Sequence, residues 1–131
     1  MSLRQVSFPW LTDVFTTTDA TVTSSAACTV IIPSEACGWV EMTVTARNTT
    51  SGAGAMIRVV QSFQNISGSL TLAASLVTPV ALNGDATFIA SLVASTMATF
   101  GTSGTSIVPT VKGPVVAANV EWLLDCRYTI H

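Results

Sequence analysis

The sequence predicts an all-β chain: an antiparallel β-sandwich of the jelly-roll type, with about eight strands. Three observations carry this. Val, Ile and Thr are abundant and favour the pleated conformation. Several stretches alternate apolar and polar residues with a period of two, as a half-buried strand does. Clusters of Gly, Asn, Ser and Pro separate these stretches at the spacing of turns. A helical period is hard to find. The 131 residues fit one domain, large enough to bury roughly two thirds of the surface the unfolded chain exposes.

The elements follow in order. Residues 1–15, MSLRQVSFPWLTDVF, read as an extended N-terminal arm. Pro9 disfavours a helix there, and Phe8, Trp10, Leu11, Val14 and Phe15 make the arm apolar. It either docks on a neighbouring subunit or covers an edge of its own domain, which spans 16–131. GWVEMTVTAR (38–47) puts Val40, Met42, Val44 and Ala46 on one face. Trp39, Glu41, Thr43, Thr45 and Arg47 occupy the other. The polar, Gly-rich NTTSGAG (48–54) turns the chain, so AMIRVVQSF (55–63) should pair back as a hairpin. NISGS (65–69) is a second turn, before a strand in LTLAASLV (70–77). Asn83-Gly84 is the strongest two-residue turn signal, because both central positions of such a turn need φ > 0.

ATFIASLVA (86–94) reads as a strand with Phe88, Ala90 and Leu92 on one face. Gly101 and Gly104 punctuate a loop, and SIVPTV (106–111) and a KGP turn follow. NVEWLLDCRYTI (119–130) is the best-patterned strand. Val120, Trp122, Leu124, Cys126, Tyr128 and Ile130 point one way, and Asn119, Glu121, Asp125, Arg127 and Thr129 the other. The echo between LAASLV (72–77) and IASLVA (89–94) reflects shared composition.

Composition points to a life inside an assembly. The chain is 49% hydrophobic and 9% charged, with mean hydropathy +0.58. An ordinary soluble domain carries roughly a quarter charged residues. A surface built of Thr, Ser, Ala and exposed aliphatics is easily desolvated and adheres to neighbours. The net charge of −2 argues against nucleic acid as a partner, and the basic residues Arg4, Arg47, Arg58, Lys112 and Arg127 are scattered. No apolar run reaches ~18 residues, so no membrane-spanning helix is expected, nor is a secretory leader. Cys28, Cys37 and Cys126 include no CxxC and have no His nearby, which makes a metal site improbable. A Cys28–Cys37 disulfide is one reading. Three free, buried thiols are the simpler one and suit a reducing cytosol.

Catalytic, metal and cofactor residues are not expected. General-base work needs a fixed imidazole, and His131 is the last residue. Asp13 and Asp19 read as solvated or turn-forming. Glu41, Glu121 and Asp125 lie on polar strand faces, where cross-strand pairing with Arg47 or Arg127 is the expectation. No glycine cluster opens a helix, so a phosphate cradle is not expected. The sequons at Asn48 and Asn65 read as turn chemistry. Trp122 is core, and Trp39, on the outer face of its strand, suits an intersubunit anchor.

TTTDATVT (16–23), VIIP (30–33), the hairpin WVEMTVTARNTTSGAGAMIRVV (39–60) and the closing VKGPVVAANVEWLLDCRYTI (111–130) together resemble the small β-domains of tailed-bacteriophage structural proteins. The motifs run in order over residues 16–131; the stretch 64–105 fits loosely, and Pro114 stands where a small residue is more usual. The resemblance implies a virion component, commonly a homotrimer, found as capsid decoration or cement protein or within tail fibres and spikes.

The expectation from these readings is a capsid cement protein on the capsid exterior, assembled in the host cytoplasm. It would bind the major capsid protein and clamp the shell through many weak contacts at once. Phe8, Trp10, Leu11, Val14 and Phe15 would form the tether and Trp39 a further anchor. A short, free-standing chain without a stalk favours this reading. The alternative is a tail fibre, spike or tail domain that recognises a host receptor, such as a glycan. It predicts an exposed aromatic in a polar-lined groove.

Overall fold

A run of alternating residues hides its apolar half only when two such faces meet, and here two unequal sheets do so. The computed structural model describes residues 6–7, 10–73, 76–80, 86–94, 97–114 and 116–131. In order, these form β1 (Val6–Ser7), β2 (Leu11–Thr17), β3 (Thr23–Ser24), β4 (Val30–Ile31), β5 (Cys37–Asn48), β6 (Gly54–Ile66), β7 (Ser69–Leu72), β8 (Leu76–Val80), α1 (Ala86–Ala94), β9 (Ala98–Ser103), β10 (Ser106–Val111) and β11 (Val120–Ile130). The three longest strands form the middle of the larger sheet in the order β11-β5-β6. β1 and β2 share the free edge of β11, and β7 and β8 share that of β6. In the smaller sheet β10 pairs with β9 on one side and with β3 and β4 on the other. All pairings are antiparallel, and the fold is the expected all-β sandwich.

The alternation read from the sequence sorts the faces correctly. Val40, Met42, Val44 and Ala46 of β5 are buried, as are the six inward positions of β11 from Val120 to Ile130. They join Ile57 and Val59 of β6, Ile107 and Val111 of β10, and Phe88 and Leu92 of α1 in one core. The β5–β6 hairpin forms where expected: the Asn48 side-chain carbonyl accepts from the Thr50 and Ser51 amides at 2.9 and 3.1 Å. Pro109 sits inside β10, where a missing N–H would break a ladder. It falls in the gap between the β4 partners (106–107) and the β3 partners (110–111), while its carbonyl accepts from the Ser25 amide at 2.9 Å.

Four element readings change. Gly101 lies inside β9 rather than in a loop, and only Gly104, with φ of 60°, sits in the turn to β10. Residues 86–94 form a helix rather than a strand. Phe88 and Leu92 are buried and Ala90 is exposed; in a strand all three would share a face, whereas in a helix i and i+4 align and i+2 points away. The 70–77 stretch contributes to two strands, β7 and β8, both on β6. Of the expected arm, residues 6–7 form β1 and residues 11–15 belong to β2. Their partners run from Leu11↔Cys126 to Phe15↔Trp122 on the domain's own last strand. A free edge of β11 and an alternating LTDVFTT are complementary, so the ladder closes within the chain. The Asn83-Gly84 turn lies outside the described residues.

Gly38 marks a close approach between β5 and β11. A Cβ there would lie 1.9 Å from the Thr129 carbonyl oxygen, a backbone atom of the paired strand. Gly38→Ala must therefore push two ladder strands apart. It should lower stability by roughly 1–3 kcal/mol, read as a shift in urea midpoint without a change in slope.

Candidate ligand-binding face

The outer face of the larger sheet is set by the alternate residues of β2, β11, β5 and β6, and the register lines them up in rows. One row runs Val14–Leu123–Thr45–Met56. The next runs Thr12–Asp125–Thr43–Arg58, and the one beyond it carries Arg127, Glu41 and Val60. Trp10 precedes β2 on the side of Arg127. The Arg127 guanidinium lies over the Trp10 ring, 6.0 Å from its centre, a cation–π contact that holds the indole in place. Trp10, Thr43 and Asp125 line an open cleft of about 350 Å³. Arg58 pairs with Glu41 beside it.

This gives an aromatic plate, 48% exposed, next to a carboxylate and a hydroxyl, with two further charges at the rim. An indole face accepts apolar C–H surface while the neighbouring oxygens take hydroxyl hydrogens. Three cations (Arg47, Arg58, Arg127) and three anions (Glu41, Glu121, Asp125) balance among the described residues of this face, so it has no field that would gather a polyanion. Trp39, 43% exposed, lies on the same sheet face, paired with Thr129 and Ser62. Strand spacing and rise put it ~12 Å from Trp10.

The residues expected to bind a partner divide by face. Leu11 and Phe15 point inward, half-buried against the core. Trp10 and Val14 point out, Val14 at 61% exposure beside its cross-strand neighbour Leu123 at 39%. Trp39 is outward as expected, and Phe8 lies outside the described residues. A tether built on Leu11 and Phe15 is therefore corrected: both side chains are already used inside their own domain. Thr43, Asp125 and Arg127 were legible only as polar-face residues, since no local spacing relates 43 to 125.

Other candidates have structural roles. Asp19 accepts from the Thr21 amide at 2.8 Å in a turn, and that hydrogen bond holds its carboxyl below the ordinary range. Asp13 is not solvated as expected: it is on the inner face and accepts from the Ser25 hydroxyl at 2.7 Å. Asn65 is buried, its amide donating to the Ile32 carbonyl at 2.9 Å, so a sequon reading fails there on access. His131 is exposed, and its backbone pairs with Cys37. All three thiols are free, but Cys37 is exposed rather than buried, because it opens β5 on the side away from the core.

No protein-family model matches the chain, and no curated protein matches it in sequence. Among solved structures it is similar to tailspike protein gp49 of Acinetobacter baumannii bacteriophage Fri1, a capsular polysaccharide depolymerase, with 12% identity and TM-score 0.38, over 95% of this chain and 19% of that one. It is also similar to the tailspike protein of Acinetobacter baumannii phage AM24, with 13% identity and TM-score 0.43, over 92% of this chain and 26% of that one. The chain thus spans about a fifth to a quarter of the length of these tailspikes. Both are phage structural proteins.

Proposed function

We propose that the chain is a virion β-domain of the tail-fibre or spike kind that binds an uncharged surface glycan across the outer face of its larger sheet. The observation that carries the reading is the Trp10 cleft, with Thr43 and Asp125 beside an exposed indole whose orientation Arg127 holds. The virion setting rests on the resemblance in motif order. Single-site binding on so open a cleft is weak, and the homotrimer expected from the same resemblance would multiply it through avidity.

Titrating the protein with host surface oligosaccharides while following tryptophan emission tests this. Saturable change with neutral glycans is expected. Silence towards every glycan, together with binding to undecorated capsid shells, would return the function to cement, for which the apolar Val14–Leu123 pair is the remaining contact surface. Shortening of the polysaccharide in the same tubes would show turnover and overturn the binding-only part. Sedimentation of the chain checks the trimer.

A further inference from the structure

The loop between β3 and β4 carries Cys28 under the last strand. Its sulfhydryl donates to the Leu11 carbonyl at 3.6 Å, and Leu11 is the direct ladder partner of Cys126. Two residues on, Tyr128 donates its hydroxyl to the Cys28 carbonyl at 2.7 Å. Cys28 is thus bracketed from two sides against the inward-facing 126–128 stretch of β11. Both sulfurs are fully buried. The loop is held by Ser25, which accepts from the Cys28 amide at 3.2 Å and donates to Asp13.

We propose that Cys28 and Cys126 are a reversible redox pair, which a small-molecule disulfide converts into one internal disulfide tying the 25–29 loop to the last strand. The Cys28 thiolate attacks one sulfur of the reagent R–S–S–R, forms Cys28–S–S–R and releases RS⁻. The Cys126 thiolate then attacks the Cys28 sulfur, closes the internal bond and releases a second RS⁻. The two protein thiols lose two electrons and two protons; the reagent takes both and leaves as two RSH. Cys28 is the first nucleophile. The neighbouring Cys126 thiol stabilises its thiolate more than burial opposes it, so its pKa lies below the ordinary thiol value. The same neighbour and burial push Cys126 up. Reagent enters when the loop opens locally, and its Ala26 and Ala27 already face solvent.

Cys37→Ala removes the exposed third thiol and isolates the pair. Incubated with oxidised glutathione, this variant should lose about 2 Da and all thiols titratable in denaturant. It should yield a Cys28–Cys126 peptide on digestion. Closing a ring of about a hundred residues should raise Tm by roughly 10 °C, reversed by reductant. The unaltered protein, mapped in parallel, should show the same peptide and keep one free thiol. Two titratable thiols in fully oxidising buffer, stable glutathione adducts on both sulfurs, or a Cys28–Cys37 bond in the unaltered protein would overturn the proposal.

Discussion

Trp122→Ala should bring the domain to the edge of unfolding. The indole is fully buried in the middle of β11, among residues contributed by both sheets and α1. Its Nε1–H donates to the Thr17 hydroxyl at 2.8 Å. Truncating a buried Trp costs about 3–5 kcal/mol through lost transfer energy and the cavity left behind. Domains have ~5–15 kcal/mol in total, so the variant should melt many degrees lower or fail to accumulate. The hydrogen bond has a separate signature. Trp122→Phe keeps most of the ring but strands the Thr17 hydroxyl, which is itself buried, at roughly 1–3 kcal/mol. Adding Thr17→Val to Trp122→Phe removes both partners, and the pair should cost less than the sum of the two single changes. Urea unfolding of the four proteins measures this, and strict additivity would mean that the bond contributes nothing.

Trp10→Ala should weaken the proposed glycan binding about thirty-fold and leave the fold standing. The side chain is half-exposed, and within the domain it gives up a cation–π contact worth about 0.5–1 kcal/mol. Stability should therefore move by no more than about 1 kcal/mol. An aromatic anchor in a recognition site typically carries 2 kcal/mol or more, about a thirty-fold loss in affinity at 1.4 kcal/mol per decade. Asp125→Asn, which keeps shape and removes charge, should weaken binding by less. Trp39→Ala should matter only for glycans long enough to span both indoles. If the chain sediments as an oligomer that Trp39→Ala dissociates, that indole is the intersubunit anchor expected from its outward position. A Trp10→Ala protein that binds as tightly as the parent would remove the cleft from the function.

The faces of the long strands were legible because alternation is written residue by residue. Val40, Met42, Val44 and Ala46, and the alternate residues Trp122, Leu124, Cys126, Tyr128 and Ile130, needed no partner to be assigned to one face. The candidate cleft was only half legible. Trp10 was visible as an apolar arm residue and Asp125 as a polar-face one, but their meeting depends on β2 pairing with β11 in one register. Nothing within either segment specifies that register. Residues 11–15 show the same division: their apolar character could be read, while their use as an edge strand required knowing that β11 had a free edge to fill.

The sequence by itself determined the all-β class, the inward and outward sides of β5 and β11, and the hairpin at Asn48, because each rests on short-range periodicity or turn chemistry. Only the tertiary structure decided that 86–94 is a helix while the similarly composed 72–77 supplies Leu72 to β7 and Leu76 and Val77 to β8. The spacing of Phe88 and Leu92 satisfies both periods, and a short apolar run takes whichever conformation buries it against its neighbours. The tertiary structure alone also brought Trp10 beside Asp125 and Cys28 beneath Cys126. Contacts between residues so far apart follow from how whole faces fit together, a property that no local window contains.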